Sequence, residues 1–187
     1  MPCRLVTSST QNVYTKKGYT MKFAYDAPPY YGFGKKYYGH QHEEASIWAT
    51  KEAHYDLIKL LCNNYPDGWA LSMNMNDLQW QLPAMPDDVR VGVYAKSYHQ
   101  IRPTFTQWAW EPVVWRTEKK GKRTPMVRDY IVCTATKKTG TIGAKPNAFN
   151  KWVLNLLGYN AEEDTLDDLF AGSNSMQKQI NHYKLFI

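Results

Sequence analysis

Residues 164–176 read DTLDDLFAGSNSM, and the interpretation of the whole chain depends on this stretch. It predicts a short apolar strand, a tight turn of small residues and the start of a helix. Small residues let a ligand approach the backbone closely, and the N–H groups at a helix start suit polar or anionic groups. Doubly wound α/β proteins hold nucleotide-like cofactors in this way, although a plain strand-to-helix connection has a similar length. The stretch alone leaves both interpretations open.

The length and composition predict one globular domain over residues 1–187. Of the 187 residues, 43% are hydrophobic and 21% are charged, so the chain can bury a core of its own. No apolar run approaches the ~20 residues of a membrane span, and no signal-peptide core is expected. Cys3, Cys62 and Cys133 form no CxxC pair. Reduced thiols in a cytoplasmic setting are therefore expected, rather than disulfides or a zinc site.

Charge and aromatic content favour a nucleic-acid partner. The formal net charge is +6, the isoelectric point is about 9.1, and the chain has 7 Trp and 14 Tyr. Basic side chains contact phosphates, and aromatic rings stack on bases. The alternative that these rings simply fill the core stays open at this point.

The spacing of apolar and turn residues predicts strands that alternate with helices. Strands are expected at 21–24, 69–73, 89–95, 113–116 and in the opening stretch. Helices are expected at 45–62, 76–82, 146–157 and near the C-terminus, with Gly158 as the C-cap of the third. This alternation predicts an α/β fold with a largely parallel sheet.

Four short motifs together resemble the amino-group DNA methyltransferases that use S-adenosylmethionine. They are the strand that leads into Pro28-Pro29-Tyr30, WEPV at 110–113, GAKP at 143–146 and DLFAGS at 168–173. The order, with the proline motif first and FAGS last, resembles the circularly permuted beta-type arrangement. More closely, the chain resembles a family of small DNA methyltransferase-like proteins of phages and actinobacteria. The further matching stretches are YPDGWALS at 65–72, DVRV at 88–91, WAWEPV at 108–113, VRDY at 127–130 and LLG at 156–158.

This resemblance implies a Rossmann-like methyltransferase fold, circularly permuted, with a minimal or C-terminally truncated sheet. Residues 1–20 would be an N-terminal extension, and residues 21–44 would hold the proline motif and a loop over the cleft. In such enzymes the target base is flipped out of DNA. A side chain and a proline carbonyl accept the N–H bonds of its exocyclic amine, and the aromatic residue after the prolines stacks on it. The corresponding catalytic residues here are Asp26, Pro28, Pro29 and Tyr30.

The chain departs from the family pattern directly before the first proline. The family has its acid there, whereas this chain has Ala27, so Asp26 stands one residue early. A shift of one residue in an extended segment turns a side chain to the other face. Asp26 is therefore expected to serve only if the backbone bulges.

The resemblance places the cofactor-binding half at residues 143–187, with S-adenosylmethionine as the cofactor. Asp168 would lie near its amino-acid end. The other expected contacts along the cofactor are Lys145, Pro146, Phe170, Ala171, Gly172, Ser173, Asn174 and Ser175. Asn174 replaces a usual Gly, and Asn adopts a left-handed φ more readily than most residues. The family continues into a strand whose acid binds the ribose; residues 184–187 could begin that strand, but no acid follows.

Two basic loops are the expected DNA contacts. One contributes Lys35, Lys36 and Tyr37, and the turn 118–123 contributes Lys119, Lys120, Lys122 and Arg123. A solvated turn is the plain alternative for the second group. His40 and His42 lack a second ligand cluster, so no metal site is expected. Base choice would depend on the loops 31–42 and 97–108 or on a partner, and a homodimer or a partner subunit stays open.

The expected function is methylation of an exocyclic amine of DNA, adenine N6 or cytosine N4. Ala27 and the short C-terminal part favour an alternative, a methyltransferase-fold protein that binds nucleic acid or supports an active subunit without catalysis. A third possibility is an enzyme that modifies an already altered phage base. No P-loop or Ser/His/Asp signature supports kinase or hydrolase chemistry.

Overall fold

The structure is a computed structural model that describes residues 19–34, 43–97, 103–120, 126–134 and 144–185. Within these ranges six strands form one sheet with helices on its faces. The strands are β1 (Lys22–Asp26), β2 (Gly68–Ser72), β3 (Arg90–Lys96), β4 (Trp110–Thr117), β5 (Tyr130–Cys133) and β6 (Thr165–Asp168). The helices are α1 (Lys51–Asn64), α2 (Met75–Gln81), α3 (Asn147–Leu157) and α4 (Ser175–Leu185), with 3-10 helices at Glu43–Ala49 and Leu82–Ala84.

The sheet is mixed, with the strand order β5-β3-β4-β2-β1-β6. β1 pairs in parallel with β2 and β6, and β3 pairs in parallel with β5. β4 is antiparallel to both of its neighbours, β2 and β3. The α/β class and the expectation of a largely parallel sheet are both confirmed, with β4 as the one reversed strand among the six described. Only residues 97–109 separate β3 from β4, and parallel neighbours need a longer crossover, usually a helix.

Because β4 alone is reversed, the other five strands end at the same edge of the sheet. We call this the carboxyl edge; the start of β4 lies there too. Ligands of open α/β sheets bind outside the carboxyl ends of the strands. The proline motif follows β1 and the turn at 169–174 follows β6, so both motifs leave the sheet at this edge.

Apolar clusters cover both faces of the sheet. Along β1, Phe23 and Tyr25 pack into a first cluster with residues of α3 and α4, whereas Ala24 packs into a second cluster with residues of α1. This is the two-residue alternation of a strand that is buried on both faces. Trp115 is 3% exposed in the first cluster, which confirms its expected place in the core.

The helix boundaries follow local capping signals. Thr50 has extended backbone angles and its hydroxyl accepts the N–H of Ala53, so the helix predicted at 45–62 is divided into a 3-10 helix and α1. Gly158 ends α3 in the left-handed region at φ 73°, as predicted for a C-cap. Lys184 and Leu185 belong to α4 and do not begin a strand, and residues 186–187 lie outside the described part.

Two further observations concern thiols and membranes. Cys62 and Cys133 are free thiols. No helix within the described ranges is both long and apolar enough to cross a membrane.

Candidate functional site

Asp26 ends β1 as a fully buried carboxylate. Neither of its oxygens has a hydrogen-bond partner among the described residues. Burial raises the pKa of Asp26 well above 3.8, and the charge of Asp168 raises it further. A buried carboxylate without a donor is costly. In this position Asp26 is therefore stabilised either as the neutral acid or by a hydrogen bond that a ligand donates.

Asp168 ends the neighbouring strand β6 in a related environment. It lies opposite Tyr25 in the parallel register of β1 and β6. Its Oδ1 is buried and has no partner among the described residues. Burial raises the pKa of Asp168, while a hydrogen bond from the backbone of Phe170 lowers it. Two poorly satisfied carboxyl groups thus lie side by side where adjacent parallel strands end.

The alternation of β1 continues into the proline motif. Tyr25 packs in the first cluster and Ala27 packs against it, whereas Ala24 packs in the second cluster. Asp26 therefore turns to the side of α1, near Tyr65. This is the face that the sequence predicts for an acid one residue early in an extended strand. Burial, then the hydrogen bond and charge of Asp167, and last the charge of Asp26 raise the pKa of Tyr65 to about 12.

Tyr30 is held on the other side of β1 by a polar network at the start of β4. Its hydroxyl donates to Glu111 Oε2 at 2.7 Å and accepts from Lys145 Nζ at 3.2 Å. Lys145 and Lys96 both form ion pairs with Glu111. Burial alone would raise the pKa of Glu111, but the two lysines lower it to about 2 through their charges and hydrogen bonds.

Lys145 also faces a group of aromatic rings. Its Nζ lies 5.8 Å from the ring centroid of Tyr30, 5.6 Å from that of Tyr94 and 5.4 Å from that of Phe149. The sequence predicted Lys145 along the cofactor, whereas its described contacts join it to Tyr30 and Glu111. Glu111 was not predicted as a site residue. The available signal was a single acid within the apolar run WEPVVW at 110–115.

An aromatic cluster on the α1 side connects the proline motif to the turn after β6. The ring of Trp48 packs edge-on against two rings, with its centroid 4.9 Å from that of Phe170 and 5.3 Å from that of His54. His54 also contacts Trp80 at 5.6 Å and Tyr31 at 6.4 Å. Burial lowers the pKa of His54, which keeps the imidazole neutral among these rings. Phe170 is thereby packed against the 3-10 helix that precedes α1.

Asp77 fastens the chain after Tyr30 to α2. Its carboxylate accepts hydrogen bonds from the backbone of Tyr31 and the side chain of Trp80, and these lower a pKa that burial raises overall. The side chain of Asp77 is buried. No signal in the sequence indicates this role, because Asp77 occupies an ordinary first-turn position of a helix.

The turn at 169–174 contains two residues in the left-handed region. Gly172 has φ 43° and Asn174 has φ 57°, the single positive φ of a non-Gly residue among the described residues. The N–H of Leu169 donates to the carbonyl of Tyr25 at 3.2 Å, which ties the turn to β1. α4 begins directly after the turn. The predicted strand, turn and helix are confirmed.

The remaining predicted site residues differ in how far they are exposed. Pro28 is buried, Pro29 is half-buried, and Pro146 is the N-cap of α3. Of the turn residues, Ala171 is exposed, while Ser173 and Ser175 are half-buried.

The described part of the basic turn lies at the sheet edge opposite the carboxyl edge. Lys119 forms an ion pair with Asp164, and Lys120 is exposed near Glu118. The other predicted DNA contacts, Lys35, Lys36, Tyr37, Lys122 and Arg123, lie outside the described residues, as do His40 and His42. Over the described ranges, no three His, Cys, Asp or Glu side chains group as metal ligands.

Comparisons with known proteins bear on the fold. No protein-family model matches the chain. No curated protein matches it either. Among solved structures, the crystal structure of the M1.HpyAVI–SAM complex is similar with a TM-score of 0.58 and 12% identity, covering 89% of this chain and 79% of that chain. The crystal structure of M1.HpyAVI has a TM-score of 0.51 at 12% identity, covering 89% and 77%. The chain therefore has the Rossmann-like methyltransferase fold.

Proposed function

We propose that this chain is an S-adenosylmethionine-dependent DNA methyltransferase that methylates an exocyclic amine, adenine N6 or cytosine N4. The Rossmann-like methyltransferase fold supports this proposal, and M1.HpyAVI, which has a similar structure, was solved as a complex with SAM. In this interpretation the proline motif and the FAGS turn are the two halves of one site in circularly permuted order.

The observation that carries the proposal is the pair of buried carboxyl groups at the ends of β1 and β6. Asp26 and Asp168 have oxygens without partners among the described residues. Buried polar groups in native proteins nearly always have partners, so a ligand that donates N–H groups would satisfy them. The ammonium group of S-adenosylmethionine and the amine of a target base are both such donors.

The residues at this edge fit the proposed cofactor. Asp168 would accept from the ammonium group of its amino-acid part, and the turn at Gly172 would admit it close to the backbone. Phe170, held by Trp48, would form an apolar wall. When bound, S-adenosylmethionine supplies an electrophilic methyl group on a sulfonium.

Tyr30 would stack on the flipped base, and the Pro29 carbonyl would accept one of its amine N–H bonds. Asp26, which lies on the other side of β1, would accept the second only after the backbone between Asp26 and Pro28 changes conformation. An exocyclic amine is a poor nucleophile because its lone pair is shared with the ring. Two acceptors would turn the N–H bonds away and direct the lone pair toward the methyl group. Stacking on an aromatic side chain contributes about 1–3 kcal/mol per base.

Calorimetry with S-adenosylmethionine tests the cofactor half first. The wild type is expected to bind one equivalent, and Asp168→Asn to bind about tenfold or more weakly because a charge-assisted hydrogen bond is lost. Asp167→Asn is the matched control, since Asp167 is the neighbouring acid but pairs with Tyr65 and Lys22. Absence of binding by the wild type would overturn the proposal.

An assay of methyl transfer tests the proposed action on DNA. The purified chain, incubated with tritiated S-adenosylmethionine and unmethylated genomic DNA of mixed sequence, should label N6-methyladenine or N4-methylcytosine in a nucleoside digest. Tyr30→Ala should abolish this label and leave cofactor binding within about twofold. Retained transfer by Tyr30→Ala would remove Tyr30 from the stacking role.

A second candidate is a methyltransferase-fold protein that binds nucleic acid without catalysis. The side of β1 on which Asp26 lies favours it, because Ala27 occupies the position from which an acceptor would share a face with Tyr30. Such a protein would bind DNA but would give no methylated nucleoside by itself. Any methyl transfer would come from an added active subunit. Labelled DNA from the single chain would exclude this candidate.

A further inference from the structure

We propose that Glu111 is a positioning residue that fixes the ring of Tyr30 at the carboxyl edge and holds Lys145 against that ring. This rests on the proposed function, in which Tyr30 stacks on the target base. Glu111 itself touches neither base nor cofactor in the proposal; it acts through Tyr30 and Lys145.

The placement of Glu111 follows from the reversed direction of β4. Glu111 is the second residue of β4 and lies opposite Tyr94 of β3. A strand that ran parallel to its neighbours would bring its last residues to this edge instead of its first. The reversal therefore sets an acid beside the ends of β1 and β3, where Tyr30 and Lys96 lie.

Every oxygen of this carboxylate has a donor. Oε1 pairs with Lys96, and Oε2 accepts from Lys145 and from the hydroxyl of Tyr30. The side chain of Glu111 is 15% exposed and that of Lys145 is 12% exposed. Hydrogen bonds to charged groups in such sheltered positions are stronger and more directional than those between neutral groups. The network therefore fixes the orientation of all its members.

Hydrogen bonds of the neighbouring backbone fasten the main chain at Tyr30, whereas the network with Glu111 acts on the ring itself. The Tyr30 carbonyl accepts from the N–H of Phe33, and the backbone of Tyr31 donates to Asp77. A ring that is ordered before the base arrives loses less conformational freedom when it stacks. The phenol hydroxyl is the far end of the side chain, so a bond there limits the rotation of the whole ring.

The charges explain why Glu111 is the member on which the others depend. Two lysines surround one carboxylate, so removal of its charge leaves two ammonium groups that repel each other. Lys145 would move away from Glu111 and from the Tyr30 hydroxyl together. Glu111→Gln should therefore free the ring more than Tyr30→Phe does, although Tyr30→Phe removes the hydroxyl itself.

Fluorine NMR of the protein labelled with 3-fluorotyrosine tests this geometry without cofactor or DNA. The Tyr30 resonance is identified by its absence in Tyr30→Phe. Glu111→Gln should shift and broaden that resonance. The matched control is Asp167→Asn, which removes the negative charge of the acceptor in another tyrosine–carboxylate bond, 2.8 Å from the Tyr65 hydroxyl, and should move the Tyr65 resonance alone. An unchanged Tyr30 resonance in folded Glu111→Gln would overturn the proposal.

Kinetics supply the functional readout. Glu111→Gln should lower methyl transfer to mixed-sequence genomic DNA at least about tenfold, as a displaced reacting group does, with S-adenosylmethionine binding within about twofold of wild type. The double variant with Tyr30→Phe should be no worse than Glu111→Gln alone, because both changes break one network. Unaltered transfer by Glu111→Gln would overturn the proposal.

The proposed methyltransferase function and the positioning role of Glu111 can be tested separately. If the wild type transfers no methyl group, the proposed function fails, and the fluorine resonance still decides whether Glu111 fixes Tyr30. If Glu111→Gln does not fold, Lys145→Gln is the second variant, because Lys145 donates to the same hydroxyl. It should shift the Tyr30 resonance and leave that of Tyr65 in place; an unmoved Tyr30 resonance would count against the network.

Discussion

Lys119 Nζ lies 2.9 Å from Asp164 Oδ2, and the side chain of Asp164 is completely buried. The same carboxylate accepts the backbone N–H groups of Asn160 and Met21. Asp164 thus joins the start of β1 to the start of β6, and Lys119 neutralises it. One of the basic residues predicted to contact DNA therefore has a structural role at the edge opposite the candidate site.

This pair predicts different consequences for two adjacent lysines. Lys119→Ala should lower the free energy of unfolding by about 3 kcal/mol, because it leaves a buried charge without its partner. Lys120→Ala should change it by less than about 0.5 kcal/mol, because Lys120 is exposed. Urea unfolding followed by tryptophan fluorescence measures both values. Equal values for the two variants would contradict a structural role for Lys119.

Because the pKa of Asp26 is raised, we expect the ligand-free protein to lose stability as the pH rises. Its pKa in the folded state is raised above 3.8, so the folded state favours the protonated acid. The contribution is complete below pH 3.8 and is lost as the pH rises through the raised pKa. Asp26→Asn should flatten this decline in urea unfolding between pH 4 and 8.

The exposed acid Asp56 provides the control for that experiment. Asp56→Asn should leave the slope of stability against pH as it is in the wild type, since Asp56 contacts Lys59 at the surface. An Asp26→Asn variant with the wild-type slope would show that Asp26 is ionised and satisfied in the folded protein.

Because the pKa of Glu111 is lowered, its contribution to stability should fall as the pH becomes acidic, which is opposite to the dependence of Asp26. The pKa of Glu111 is lowered from 4.5 to about 2, so its contribution is present above pH 4.5 and is lost as the pH falls toward 2. A shift of this size corresponds to roughly 3 kcal/mol. Acid unfolding of Glu111→Gln should be shallower than that of the wild type between pH 4.5 and 2. A parallel acid transition would mean that the lysines do not hold this carboxylate ionised.

The elements that the sequence predicted well are those with local signals. The C-cap at Gly158 and the turn before α4 depend on residues that adopt a left-handed φ, and such residues are visible in the sequence. β5 was not predicted, although its four residues, YIVC at 130–133, are all apolar and favour a strand. It is a short strand at the edge of the sheet, and half of its residues are exposed.

The direction of β4 and the partners of Glu111 could not be predicted in the same way. WEPVVW at 110–115 predicts a buried strand, but nothing local says which way it runs. The network of Tyr30, Glu111 and Lys145 joins residues that are 81 and 34 positions apart, so it exists only after the sheet has formed. Long-range charge pairs of this kind leave no periodic signal.

The turn after β6 gives a last prediction, which concerns backbone strain. Asn174 has φ 57°, a conformation that costs an L residue with a Cβ roughly 1–2 kcal/mol and Asn less, because its side chain bonds locally. Asn174→Ala should therefore destabilise the protein by about 1 kcal/mol, whereas Asn174→Gly should stay within about 0.5 kcal/mol of wild type or above it. Thermal and urea unfolding measure both.

Gly172→Ala is the matched control, because φ is 43° there and an added Cβ would meet only the Phe170 carbonyl oxygen at an ordinary 3.6 Å. Similar losses for Gly172→Ala and Asn174→Ala would identify strain as the cause, and a loss for Asn174→Gly as large as for Asn174→Ala would instead assign the effect to contacts of the Asn174 side chain.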